Sequence, residues 1–128
     1  DGVEAMIKAL PNQMFVLDHM GNHHQICGDG QLHKQWKQSI ERLSKYKNVC
    51  IKLSALTGGQ PGLTVTQKWS FEAEKEHIDL VIDKFSEDRI VYGCDWPVSL
   101  VALQKDQREN FLSLWTVNLY QYLKQKKG

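Results

Sequence analysis

Residues 90–97, Ile-Val-Tyr-Gly-Cys-Asp-Trp-Pro, constrain the fold of this chain more than any other stretch. A β-branched apolar run stops at Gly93, a carboxylate follows at Asp95, and Trp96-Pro97 ends the extended segment. A continuous apolar run of this kind is the pattern of a parallel strand buried on both faces. In folds built from such strands the chemistry gathers where the strands end. Asp95 is therefore expected at the mouth of a sheet or barrel, where it could accept a proton or hold a metal. The plainer reading makes it a turn or helix cap.

The same rhythm occurs twice earlier. Met14 to Leu17 is a short apolar strand running into Asp18-His19-Met20-Gly21, and Val49 to Leu53 is a second one ending in Ser54. Val3, Met6, Ile7 and Leu10 mark a helix before the first strand, closed by Pro11-Asn12. Leu32, Trp36, Ile40 and Leu43 mark a helix between the first two strands. Ser70, with Glu72 and Glu74 close behind, starts another, whose stripe is Ile78, Val81, Ile82 and Phe85. Arg89 opens the third strand. The last helix runs from about residue 108 to 126, with Phe111, Trp115, Leu119, Tyr122 and Leu123 on its packing side. Residues 22–30 and 57–66 read as polar or Gly/Pro-rich loops. Strands alternating with helices at this interval imply parallel βαβ units, in one domain spanning residues 1–128.

Composition narrows the functional classes. An apolar content of 41% and a charged content of 24% are those of a globular chain, not a disordered one. The formal charge of +1 gives no footing for a nucleic-acid partner. Lys124, Lys126 and Lys127 read as a solvated helix end. No apolar run is long enough to span a bilayer, and no signal peptide is visible. Cys27, Cys50 and Cys94 form no paired spacing, which argues against a disulfide framework or a thiolate zinc site and for a cytoplasmic setting. Cys50 is expected to be a small core residue.

In a parallel sheet all strand ends lie on one edge, so Asp18-His19, Lys52, Ser54 and Asp95 should converge. His19 could ligate a metal or polarise a carbonyl, Asp95 could deprotonate a water, and Lys52 could hold a substrate carboxylate. His23 and His24 lie near His19, but their spacing matches no standard zinc pattern. His33 and His77 are expected on helix surfaces, and Trp36 and Trp115 in the core.

Three segments together carry a resemblance: Phe-Val-Leu-Asp-His-Met-Gly (15–21), Asn-Val-Cys-Ile-Lys-Leu-Ser-Ala-Leu (48–56) and Asp-Arg-Ile-Val-Tyr-Gly-Cys-Asp-Trp-Pro-Val (88–98). They resemble, in order and spacing, the second half of amidohydrolase-related proteins, in the branch that contains sugar-lactone hydrolases. The closing Asn118-Leu119-Tyr120 helix resembles that family's ending. The resemblance implies a TIM-type (β/α)₈ barrel, of which this chain would be a partial (half) barrel of about three βα units. It implies Asp95 and His19 as catalytic residues and as ligands of a divalent metal, zinc or manganese, which some members use and others lack. It implies Lys52, Ser54 and Trp96 as substrate-binding residues, and a small-molecule lactone or ester as substrate. Cys94 stands where the family commonly has Ser or Thr.

Nothing in the sequence matches the His-x-His pair of the family's first strand, and a whole barrel takes ~250 residues. The first four strands are therefore expected to be missing from this chain. Half a barrel has two open edges and an exposed apolar face. A homo-oligomer, or a separately encoded complementary half-barrel, is the expected remedy. Two functions follow: a truncated hydrolase of lactones or cyclic esters, or a non-catalytic α/β module that associates.

Overall fold

The computed structural model describes residues 2–22, 30–55, 69–101 and 103–127. His23, His24, Cys27 and the expected 57–66 loop lie outside those residues. The elements are α1 (Gly2–Ala9), β1 (Phe15–Leu17), α2 (Gly30–Leu43), β2 (Val49–Leu53), α3 (Phe71–Lys84), β3 (Ile90–Tyr92), α4 (Lys105–Arg108) and α5 (Phe111–Lys127). One-turn 3₁₀ segments follow β1, precede β3 and follow it again at Val98–Leu100. The strand–helix alternation is the expected one. A short helix, α4, precedes the last one, and α5 starts at Phe111 rather than near Arg108.

The sheet has the order β1-β2-β3, parallel throughout, with Leu17 opposite Ile51 and Lys52 opposite Val91. Side chains alternate across it. Val49, Ile51 and Leu53 point to the helical layer and are buried. They meet Trp36, Ile40 and Leu43 of α2, Ile78 and Val81 of α3, and Phe111, Trp115 and Leu119 of α5 in one core. Ser70 caps α3 as expected, its hydroxyl accepting from the Ala73 N–H at 3.3 Å.

The opposite face is open. Val16 is 58% exposed and Val91 45%, and Cys50 is only half-buried. β3 is therefore not buried on both faces, and Cys50 is not a core residue. Among the described residues, the helices that cover the sheet lie on the other side, so inward-facing apolar side chains have nothing over them. The first helix forms as expected, over Gly2–Ala9. Of its apolar set only Ile7 is buried, while Val3, Met6 and Leu10 are half-exposed, as is Leu32 of α2.

Arg89 does not pair in the strand. It sits in the turn before β3, where its guanidinium donates to the carbonyls of Ser44, Tyr46 and Val49 at 3.0–3.1 Å and stacks over Phe85. It ties the α2–β2 connection to the base of β3. All three carbonyls are reached from its Nη1, while Nε donates to the Ser86 hydroxyl at 3.0 Å, so two nitrogens of the planar group are used at once.

Candidate active site

All three strands end in left-handed backbone at non-glycine residues. His19 (φ 51°) and Met20 (φ 49°) follow β1, Ala55 (φ 55°) follows β2, and Asp95 (φ 54°) follows β3. Such residues cost about 1 kcal/mol or more each and persist only where the surroundings enforce them. After β1 the enforcement is visible. The left-handed turn drives Met20 fully into the core, where the Trp36 indole N–H donates to its carbonyl at 2.7 Å. His19 is thereby raised onto the rim. After β3, the Trp115 indole N–H donates to the Gly93 carbonyl at 3.1 Å, and the Ser99 N–H to the Asp95 carbonyl at 2.8 Å. The Trp96–Pro97 bond is cis.

The raised His19 ring bridges the rim. Its Nδ1 is 2.8 Å from the hydroxyl of Ser54, a fully buried residue at the end of β2. Its Nε2 is 3.7 Å from Asp95 Oδ1 and 3.4 Å from Asp18 Oδ2. The other Asp18 oxygen, Oδ1, accepts from Lys52 Nζ at 2.9 Å. The bonded Lys52 ammonium holds the Asp18 carboxyl below the usual carboxylate range, so it stays ionised beside the imidazole. Trp96 is 63% exposed and makes no part of this network.

The structure thus brings four of the five expected residues together: His19, Lys52, Ser54 and Asp95. It adds Asp18, which the sequence reading placed at a strand end without a role. The signal was there. Extending the β1–β2 register by one residue puts Asp18 opposite Lys52, on the same face. Gly93 is a second addition. A Cβ there would lie 2.5 Å from Lys52 Cε and 3.2 Å from Ser54 Cβ, so the missing side chain makes room for the lysine stem.

His33 and His77 depart from expectation. His77 is buried, its Nε2 3.2 Å from His33 Nε2 and its Nδ1 3.4 Å from Glu74, with its ring edge-on to Trp36. It lies one turn before Val81 and so belongs to the buried stripe of α3.

For a divalent metal, His19 Nε2 and Asp95 Oδ1 are two donors at a usable separation. The nearest further carboxylate, Asp18, is engaged by Lys52. Among the described residues no group of three or more His, Cys, Asp or Glu side chains is arranged to hold a metal ion. Stable divalent sites use three or four protein donors, so these residues alone do not fit one.

Three parallel βα units with a polar rim at the carboxyl ends of the strands match the geometry of part of a TIM-type barrel. Comparison gives the family. The Amidohydrolase family model (Amidohydro_2) matches residues 3–116, and the chain belongs to that family. It is 26% identical over 102 residues to L-fucono-1,5-lactonase of Burkholderia multivorans, covering 78% of this chain and 34% of the lactonase. Two crystal structures of an amidohydrolase from Burkholderia multivorans share the fold. One, with bound HEPES, has a TM-score of 0.66 at 23% identity and covers 91% of this chain and 41% of its own. The other, with bound zinc, has a TM-score of 0.67 at 24% identity, with 91% and 40% covered. The chain therefore spans about a third of the curated relative and two-fifths of the solved chains. The three βα units are a part of that barrel, as the resemblance implied.

Proposed function

We propose that this chain carries one side of the active-site rim of a lactone hydrolase, and that residues 1–128 act as one domain supplying that half of the barrel. The observation that carries the reading is the convergence of His19 Nε2 on Asp95 at 3.7 Å, with Ser54 fixing the other ring nitrogen. Asp95 is the general base: it takes a proton from water, whose oxygen attacks the lactone carbonyl. With Ser54 donating to Nδ1, the His19 Nε2–H donates to the developing oxyanion. The ring oxygen leaves and takes the proton from Asp95. Lys52 borders the substrate, the buried Ser54 acts on it through His19, and the exposed Trp96 ring offers an apolar face to it.

The chain spans a third of the lactonase, and on this reading the rest of the rim is supplied by the part of the barrel the chain does not cover. The test is a pH-stat assay of L-fucono-1,5-lactone opening by this chain alone, and by this chain mixed with the part of the Burkholderia multivorans lactonase it does not match, with zinc or manganese added or withheld. Acceleration in the mixture supports the reading. A buffer rate under every condition overturns it. Among the described residues no helix is long and apolar enough to cross a membrane. Cys50 and Cys94 are free thiols, which suits the cytoplasm.

A further inference from the structure

His77 is a buried histidine that the rim chemistry does not use, and it begins a short chain of contacts that leads to the rim. Its Nε2 meets His33 Nε2 at 3.2 Å. The two imidazoles grip the Trp36 indole. His33 lies stacked on it, 16° from parallel with ring centroids 5.7 Å apart, and His77 stands edge-on at 73° and 5.4 Å. Stacked and edge-on neighbours together fix the plane of the indole. Its N–H is thereby aimed at the buried Met20 carbonyl, 2.7 Å away.

That carbonyl belongs to an uncommon turn. His19, Met20, Gly21 and Asn22 have φ of 51°, 49°, 70° and 56°, and the Asn22 N–H closes the turn on the His19 carbonyl at 2.8 Å. Left-handed backbone is unfavourable at each of these residues except the glycine, so the turn does not hold itself. Gly21 is also the residue that passes the indole, since a Cβ there would lie 3.7 Å from Trp36 Nε1. The direction of the Met20 carbonyl follows from the backbone angles on either side of it. The indole bond therefore forms with this turn and not with a right-handed one.

We infer that Trp36 is a positioning residue for His19. Its N–H locks the left-handed turn, the turn carries the His19 ring to Ser54 and Asp95, and the His33–His77 pair keeps the indole in line. A tryptophan that served the core alone would still find a partner for its N–H, but losing that N–H would leave the His19 ring where it is. The inference rests on the hydrolase reading only for the use made of His19, and the geometry it concerns needs no turnover.

Nitrogen NMR of the intact chain, isotopically labelled in its histidine rings and recorded above the titration range of imidazole, reads the tautomer of His19. Its signals are those lost in His19→Gln. The unaltered chain should show the unequal ring-nitrogen shifts of one fixed tautomer. Trp36→Phe should collapse them toward the averaged values of a free imidazole. So should benzothienylalanine at position 36, which keeps the indole shape and lacks the N–H. His33→Ala should give part of the same collapse. Leu119→Ala, a truncation in the buried core, should lower the melting temperature and leave the His19 signals in place. An averaged His19 ring in the unaltered chain overturns the inference, as does a fixed tautomer that survives loss of the indole N–H, or an equal collapse in Leu119→Ala. Unchanged signals in His33→Ala strike the imidazole pair from it. Collapse in a chain that opens no lactone upholds the inference and counts against the hydrolase reading alone.

Discussion

Ser54 Oγ lies 2.8 Å from His19 Nδ1, and this contact joins the end of β2 to the turn after β1. Ser54 is fully buried, so its hydroxyl has no water to fall back on. Ser54→Ala should cost about 1–3 kcal/mol by urea denaturation, the range for leaving a partner unsatisfied. A change within about 0.3 kcal/mol would mean that the contact does not hold the rim.

Gly93→Ala should cost about 1–3 kcal/mol through crowding. The lysine stem can swing aside, but Ser54 Cβ, 3.2 Å from the new methyl, sits in the core and has less freedom. Displacing Lys52 also breaks its 2.9 Å bond to Asp18. A double-mutant cycle with Lys52→Ala checks this. The alanine at 93 should cost less once the lysine stem is gone, and equal costs in both backgrounds would contradict the contact.

Arg89→Ala removes the donor to three backbone carbonyls and the cation over Phe85. Stability should fall by about 2–4 kcal/mol, at the upper end for single substitutions. Arg89→Lys should restore only part of it, because one ammonium can replace Nη1 at the carbonyls but not also the Nε bond to Ser86 and the plane over Phe85. Full recovery by lysine in thermal melts would refute the role of the planar group.

Acid should destabilise the fold through Asp18 and Asp79. Lys52 holds Asp18 below its ordinary 3.8. Burial pushes the Asp79 carboxyl up, but bonds from Lys126 and Tyr122 outweigh it and leave the carboxyl below 3.8 as well. A depressed folded-state value contributes stability that is present above the unfolded value and lost as pH falls through the folded one. The loss should therefore begin near pH 4 and deepen below it. It should be small, since both groups are partly exposed and screened. Asp79→Asn should flatten the acid limb of the denaturation midpoint, and an unchanged slope would contradict the assignment.

Much of this was legible in the sequence, and the exceptions have physical causes. The apolar runs ending at Leu17, Leu53 and Tyr92 fixed parallel strands, and strand ends of a parallel sheet share one edge. His19, Lys52, Ser54 and Asp95 therefore converged as expected. What local pattern could not show is which face a neighbour covers. Val91 and Cys50 read as core because β-branched and small apolar residues belong there, yet they face the side without helices. His77 read as surface because histidine usually is, yet it falls one turn before Val81. The left-handed turns at His19, Ala55 and Asp95 carry a weak sequence signal: glycine is the usual mark of that conformation, Asp and His adopt it only occasionally, and Ala55 gives no sign of it.

The central claim is that Asp95, and not its neighbour Asp18, is the base of the rim. Both carboxylates face His19 Nε2, at 3.7 and 3.4 Å. The direct measurement is the rate of L-fucono-1,5-lactone opening by the complemented barrel, carrying Asp95→Asn or Asp18→Asn. Loss of a general base costs about 10²–10⁴-fold, and that loss is predicted for Asp95→Asn, with less than about tenfold for Asp18→Asn. The reverse order, with Asp95→Asn active and Asp18→Asn inert, would contradict the account.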